Sequence, residues 1–125
     1  MKCSDASTFS ISAKVSSKSH PSRHIYFEPQ TEDGYSEAIY GSTLTSEVTN
    51  TGSNFFWITA SWAEIIDHKL EPGSTIKLPS QNFKDYRIVV ATADHDASIE
   101  FDFSVDRPVT SKRSWNLIAA WADGP

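Results

Sequence analysis

The chain has 125 residues, enough for one domain to bury about two thirds of its unfolded surface. Its 38% hydrophobic and 22% charged residues, with four Trp and seven Phe, make a globular composition and exclude a disordered chain. A net charge of -5 with no Lys/Arg stripe argues against a nucleic-acid partner, and a single cysteine, Cys3, excludes an intrachain disulfide.

Residues 1–7 are read as a flexible N-terminus. Met1–Ala6 lacks the apolar stretch of a secretory leader, and no apolar run approaches the roughly 18 residues of a membrane span. The expected location is therefore cytoplasmic, or extracellular by release without a visible signal peptide. Thr8–Val15 alternates Phe9, Ile11, Ala13 and Val15 with polar neighbours, the period of a half-buried strand. Arg23–Phe27 predicts a short strand, and Glu28–Ser36, with Pro29, Asp33 and Gly34, an acidic loop. Glu37–Tyr40 and Thr43–Thr49 read as two short strands or one bent at Gly41, before a tight turn at Asn50–Ser53.

Asn54–Trp62 is the most apolar run, rich in the aromatic and β-branched residues that suit a pleated sheet. Phe56, Ile58, Ala60 and Trp62 take the core-facing side, with Trp62, Trp115 and Trp121 assigned to the core or its edge. Phe55, Trp57, Thr59 and Ser61 take the other face. Ala63–Leu70 predicts a kinked strand, Glu71–Ser74 a turn, Thr75–Leu78 a strand and Pro79–Asp85 a loop. Tyr86–Ala93 is a β-branched strand expected to be largely buried on both faces, followed by a hairpin turn at Asp94–Asp96. Ala97–Val105 alternates most cleanly of all, Asp106–Arg113 predicts a loop broken by Pro108, and Ser114–Ala122 a last strand. Residues 123–125 form a tail. Eight or nine short strands at this spacing, with no helical period, predict an all-β fold: a single antiparallel β-sandwich over 8–122, immunoglobulin-like or fibronectin-III-like.

No constellation commits the chain to a reaction. The four histidines are His20, His24, His68 and His95; there is no Cys-x-x-Cys, so no metal or cofactor is expected. Asp94-His95-Asp96 groups ligand-type residues, but successive side chains of a strand or turn diverge, and Asp is favoured in turns for its own backbone hydrogen bonds. Glu64, Asp67 and His68 supply groups for acid–base chemistry without an accompanying nucleophile; the plain alternative is a solvated strand edge. Glu32-Asp33-Gly34 with Glu37 lacks the EF-hand pattern, and no glycine-rich phosphate cradle exists. Arg107, Lys112 and Arg113 share a loop, read as a solvated turn rather than an anion site.

Aromatic residues beside polar loops remain. Tyr35 and Tyr40 border the acidic loop, and Trp57 stands on the non-core face of its strand. A ring with an apolar face and a polar rim suits sugar stacking or lipid-headgroup contact, whereas the structural alternative packs Trp57 under a loop or in a dimer interface. Tyr86–Val90 (YRIVV) and Trp115–Trp121 (WNLIAAW) resemble pieces of the fungal immunomodulatory proteins, which are fibronectin-III-like sandwiches. Val48-Thr49-Asn50, Trp62 and Leu70–Ser74 (LEPGS) resemble small β-sandwiches that include the lipid-binding aegerolysin-like proteins. Both resemblances imply a sandwich and transfer no functional residue.

The expected function is a non-enzymatic recognition module, lectin-like or lipid-headgroup-binding. Its candidate ligand residues are Tyr35, Tyr40, Trp57, Asp94, His95 and Asp96. One alternative is a structural homodimer without a small ligand. Another is a hydrolase using Glu64, Asp67 and His68.

Overall fold

Strands that place apolar side chains at every second position have one face to hide, and this chain hides them between two sheets. The computed structural model describes residues 6–15, 24–31, 43–92, 95–109 and 115–121, with side chains at 8, 10–15, 27, 43–92 and 95–105. Among these are nine strands and no α-helix: β1 Ala6–Val15, β2 His24–Thr31, β3 Thr43–Asn50, β4 Phe56–Ala60, β5 Ile65–Leu70, β6 Thr75–Asn82, β7 Ile88–Ala91, β8 Ala97–Val109 and β9 Trp115–Trp121. All pair antiparallel, in a four-stranded sheet of order β1-β8-β3-β6 and a five-stranded sheet of order β5-β4-β7-β2-β9. No helix among the described residues is long and apolar enough to cross a membrane.

One core serves both sheets. Leu44, Val48, Leu78, Ile99, Phe101 and Phe103 enter it from the first, and Phe27, Phe56, Ile58, Leu70, Ile88 and Val90 from the second. The Phe27 and Phe101 rings meet across the gap at 5.5 Å. Phe101 stacks on Phe103 at 6.0 Å, and Phe103 meets the buried Tyr86 edge-on at 5.5 Å.

Several expectations are corrected by pairing. β2, β6 and β8 each run on through a proline where a loop was predicted, at Pro29, Pro79 and Pro108. Proline lacks the N–H that a second neighbour would need, so it is tolerated where a strand is paired on one side only. That condition holds three times. β6 is the edge of its sheet; β2 beyond Phe27 pairs with β9 alone; β8 beyond Val105 has lost β3. The Asp94–Asp96 segment is not a hairpin turn, because β7 and β8 belong to different sheets. The predicted turn at Asn50–Ser53 leads from β3 in one sheet to β4 in the other.

Trp62 leaves the core face: it lies in a 3-10 turn, Ser61–Ala63, half-buried against the core. Left-handed Glu64 (φ 58°) and Asp67 (φ 48°) supply the predicted kink of β5. β7 is shorter than expected and buried on one face only, with Val89 and Ala91 half-exposed. The predicted strand Glu37–Tyr40 lies outside the described residues.

Candidate recognition surface

Three connections between the sheets converge on Asn50 and Ser98: residues 51–55 from β3 to β4, 71–74 from β5 to β6, and the link from β7 to β8. Asn50, fully buried, ties the first two together. Its Nδ2 donates to the carbonyls of Asn54 (2.8 Å) and Leu70 (2.9 Å), and its Oδ1 accepts from the Gly52 N–H (3.0 Å). Its backbone N–H donates to Ser74 O (3.0 Å), and its carbonyl accepts from the Gly73 N–H (2.8 Å). One amide thus satisfies groups that leave the sheet ladders as the chain crosses over.

The other two residues that shape this end are glycines. Gly52 lies so close to β8 that a Cβ would come within 3.2 Å of Ser98, whose carbonyl accepts from Thr51. Gly73 holds φ +84° in open space, so its cost on substitution is conformational alone. Gly73→Ala is expected to lose about 1 kcal/mol, read as a fall of roughly 4 °C in the melting midpoint.

On this frame sits an aromatic cluster. Phe55 and Trp57 lie edge-to-face at 5.0 Å, both half-buried, on the outward side of β4. Phe55 meets the His95 ring edge-on at 5.0 Å, and His95 Nε2 lies 2.8 Å from the Phe55 carbonyl. A carbonyl only accepts, so Nε2 is the donor in this contact. Asn54 Nδ2 donates to the Asp96 carbonyl (3.1 Å). Lys69, opposite Trp57 in β5, places its ammonium 4.3 Å from the Phe55 ring centre and 3.5 Å from Glu71.

The structure therefore brings Trp57, His95 and Asp96 to one end, joined through Phe55 and Asn54. Tyr35, Tyr40 and Asp94 lie outside the described residues. Phe55, Asn54 and Lys69 were not among the sequence candidates, although Phe55 shares Trp57's face by simple alternation. Among the described residues no three His, Cys, Asp or Glu side chains are grouped to hold a metal ion. His20 and His24 stand four apart in sequence, but neither side chain is described. Of the basic loop, Arg107 falls within β8, and Lys112 and Arg113 lie outside the described residues.

The hydrolase candidates are arranged otherwise. The Asp67 N–H donates to Thr59 Oγ1 (2.9 Å), and that hydroxyl lies 3.5 Å from the Asp67 carboxylate. Glu64 and His68 are exposed on either side. Asp67 is thus engaged by a threonine of the neighbouring strand.

The outward face of the four-stranded sheet has a different character. Ser10, Asp102, Glu47 and Lys77 stand in one cross-strand row. Ser10 donates to Asp102, and Lys77 lies 3.8 Å from Glu47. The Asp102 charge, with a hydrogen bond between the two side chains, raises the Glu100 carboxyl above its ordinary range. Inside the core, burial raises the Tyr86 hydroxyl well beyond the usual tyrosine range, opposed by its hydrogen bond with the buried Ser46.

No protein-family model matches the chain, and no curated protein or solved structure matches it.

Proposed function

We propose that the chain is a non-enzymatic recognition module on an immunoglobulin-like or fibronectin-III-like sandwich, and that it binds a sugar, free or as a lipid headgroup. The fold reading is supported by two antiparallel sheets that share one core and are joined by crossovers. The single observation that carries the ligand reading is the Phe55–Trp57 pair, held half-exposed beside the His95 ring and the Lys69 ammonium. A sugar ring offers C–H groups to an aromatic face and hydroxyls to the donors and acceptors around it, which is the chemistry this cluster presents. The contrast between the two outward faces supports the same choice. One is a row of hydroxyls and charges, the other carries Phe55, Trp57, Val89 and Ala91.

A homodimer built by pairing β5 edges is disfavoured. Ile66 is 63% exposed there, but left-handed Glu64 and Asp67 and a register shift against β4 break the regular ladder that a second copy would extend.

The test is a glycan array and a liposome pull-down with the wild type and Trp57→Ala, their folding compared by melting. Binding to at least one format, weakened about tenfold or more by the substitution, is expected. Silence on both formats, or binding indifferent to Trp57, overturns the reading.

A further inference from the structure

A sheet edge presents backbone N–H and C=O groups that no neighbouring strand has taken, and the two sheets have four such edges: β1, β6, β5 and β9. Two of them are blunted. β6 carries Pro79 and a register shift against β3. β5 carries left-handed Glu64 and Asp67 and a register shift against β4. Of the other two β1 is the longer, ten residues against seven. From Thr8 to Val15 it pairs with β8 without interruption, with no proline, no left-handed residue and one charge, the exposed Lys14. Among the described residues no strand pairs with its other side.

Two features of this edge say what it lacks. The inward residues Ile11 and Ala13 are half-buried, whereas Phe101 and Ile99, opposite them on β8, are fully buried. A further strand would cover the apolar surface left open there. On the outward side, β8 sets two carboxylates, Glu100 and Asp102, against each other, and Asp102 accepts from Ser10 of β1. A cation arriving beside Ser10 would relieve that repulsion.

β1 supplies both complements from its own sequence. When a strand pairs antiparallel with a copy of itself, opposed residues share a face and every contact occurs twice. A two-fold axis at Ser12 sets Ile11 against the second copy's Ala13. It also sets Lys14 against the second copy's Ser10, in the cross-strand row that continues to Asp102. An axis at Ile11 would instead oppose Lys14 to Thr8, in a row that continues to Ser104 and Thr45 and holds no carboxylate. Charge therefore selects the axis at Ser12.

We infer that two copies of this chain associate through β1, antiparallel about Ser12, so that their four-stranded sheets join into one of eight strands. This stands apart from the ligand reading and holds without it. Both five-stranded sheets then lie on the same side of the joined sheet. The two Phe55–Trp57 faces point the same way, and a surface bearing repeated ligand would meet two sites at once.

Sedimentation of the full chain across concentration is the first measurement. The mass should rise from 13.9 kDa towards twice that value. Lys14→Glu changes an exposed side chain, so it should keep the melting midpoint while weakening the dimer about tenfold or more. The register is read from nitroxide labels in a Cys3→Ser background. Labels on Ser12→Cys, at the axis, should couple strongly in the dimer, and labels on Lys77→Cys, on the far edge strand β6, should not. A monomer at every concentration overturns the inference and leaves the recognition reading standing. A dimer indifferent to Lys14→Glu, or one in which the Ser12→Cys labels stay uncoupled, also overturns it.

Discussion

Phe101→Ala is expected to destabilise the fold by about 4 kcal/mol, the largest effect of any single truncation considered. Phe101 is fully buried in β8, the strand that pairs with both β1 and β3. Its ring touches Phe103 in its own sheet and Phe27 in the other, so its removal opens a void where the sheets meet. The neighbours are strand residues held in register by ladder hydrogen bonds, and such a site collapses poorly around a missing ring. Against a typical domain stability of about 5–15 kcal/mol the loss is a large fraction of the whole. Phe101→Leu, which refills most of the volume, should cost less than about half as much. Urea unfolding followed by tryptophan fluorescence checks both. Equal midpoints for the wild type and Phe101→Ala would contradict the placement of this ring.

Asn50→Ala is expected to cost about 3 kcal/mol. Three side-chain hydrogen bonds disappear at a site closed to water, and two carbonyls and one N–H are left behind. Each such bond contributes about 1 kcal/mol net, and each orphaned buried group adds its own desolvation cost, partly relieved if water enters. Asn50→Asp should be no better. It keeps an acceptor for Gly52 but directs a carboxylate at the carbonyls of Asn54 and Leu70. The substitution has a functional consequence too, since the carbonyl of Asn54 immediately precedes Phe55. Ligand affinity should fall with stability in the Asn50 variants, whereas Phe101→Ala, remote from the aromatic cluster, should lose stability while retaining affinity in the folded fraction. Urea midpoints and binding curves on the same samples separate the two.

Much of the sheet architecture was legible because alternation is a local property. Ile99, Phe101, Phe103 and Val105 announce β8, and the inward set Phe56, Ile58 and Ala60 announces β4, with nothing else known. What was not legible depends on which strand pairs with which. Pro29, Pro79 and Pro108 read as loop signals, yet each falls where a strand has a neighbour on one side only. Asp94–Asp96 read as a hairpin because adjacency in sequence does not say that β7 and β8 lie in different sheets. Trp62 continued the inward period of β4 on paper, but the chain turns at Ser61–Ala63 and takes it to the rim.

The candidate surface divides in the same way. Trp57 was accessible from alternation alone. The link between His95 and Phe55 joins residues 40 apart, and the Asn50–Leu70 hydrogen bond spans 20, so neither leaves a local signature. Asn50 read as an ordinary turn residue. Its burial, set by the crossing of three connections, is what makes it structural.

The central claim is that the outward face of the five-stranded sheet, at the Phe55–Trp57 end, is the face that meets ligand. Titration of isotopically labelled protein with an oligosaccharide bound on the glycan array, followed by amide and indole chemical shifts, tests it most directly. The account predicts shifts at Phe55, Trp57, Lys69 and His95, with Ser10, Glu47 and Asp102 on the opposite sheet unmoved. Shifts confined to that opposite face, with the Trp57 indole N–H unchanged at saturation, would contradict it.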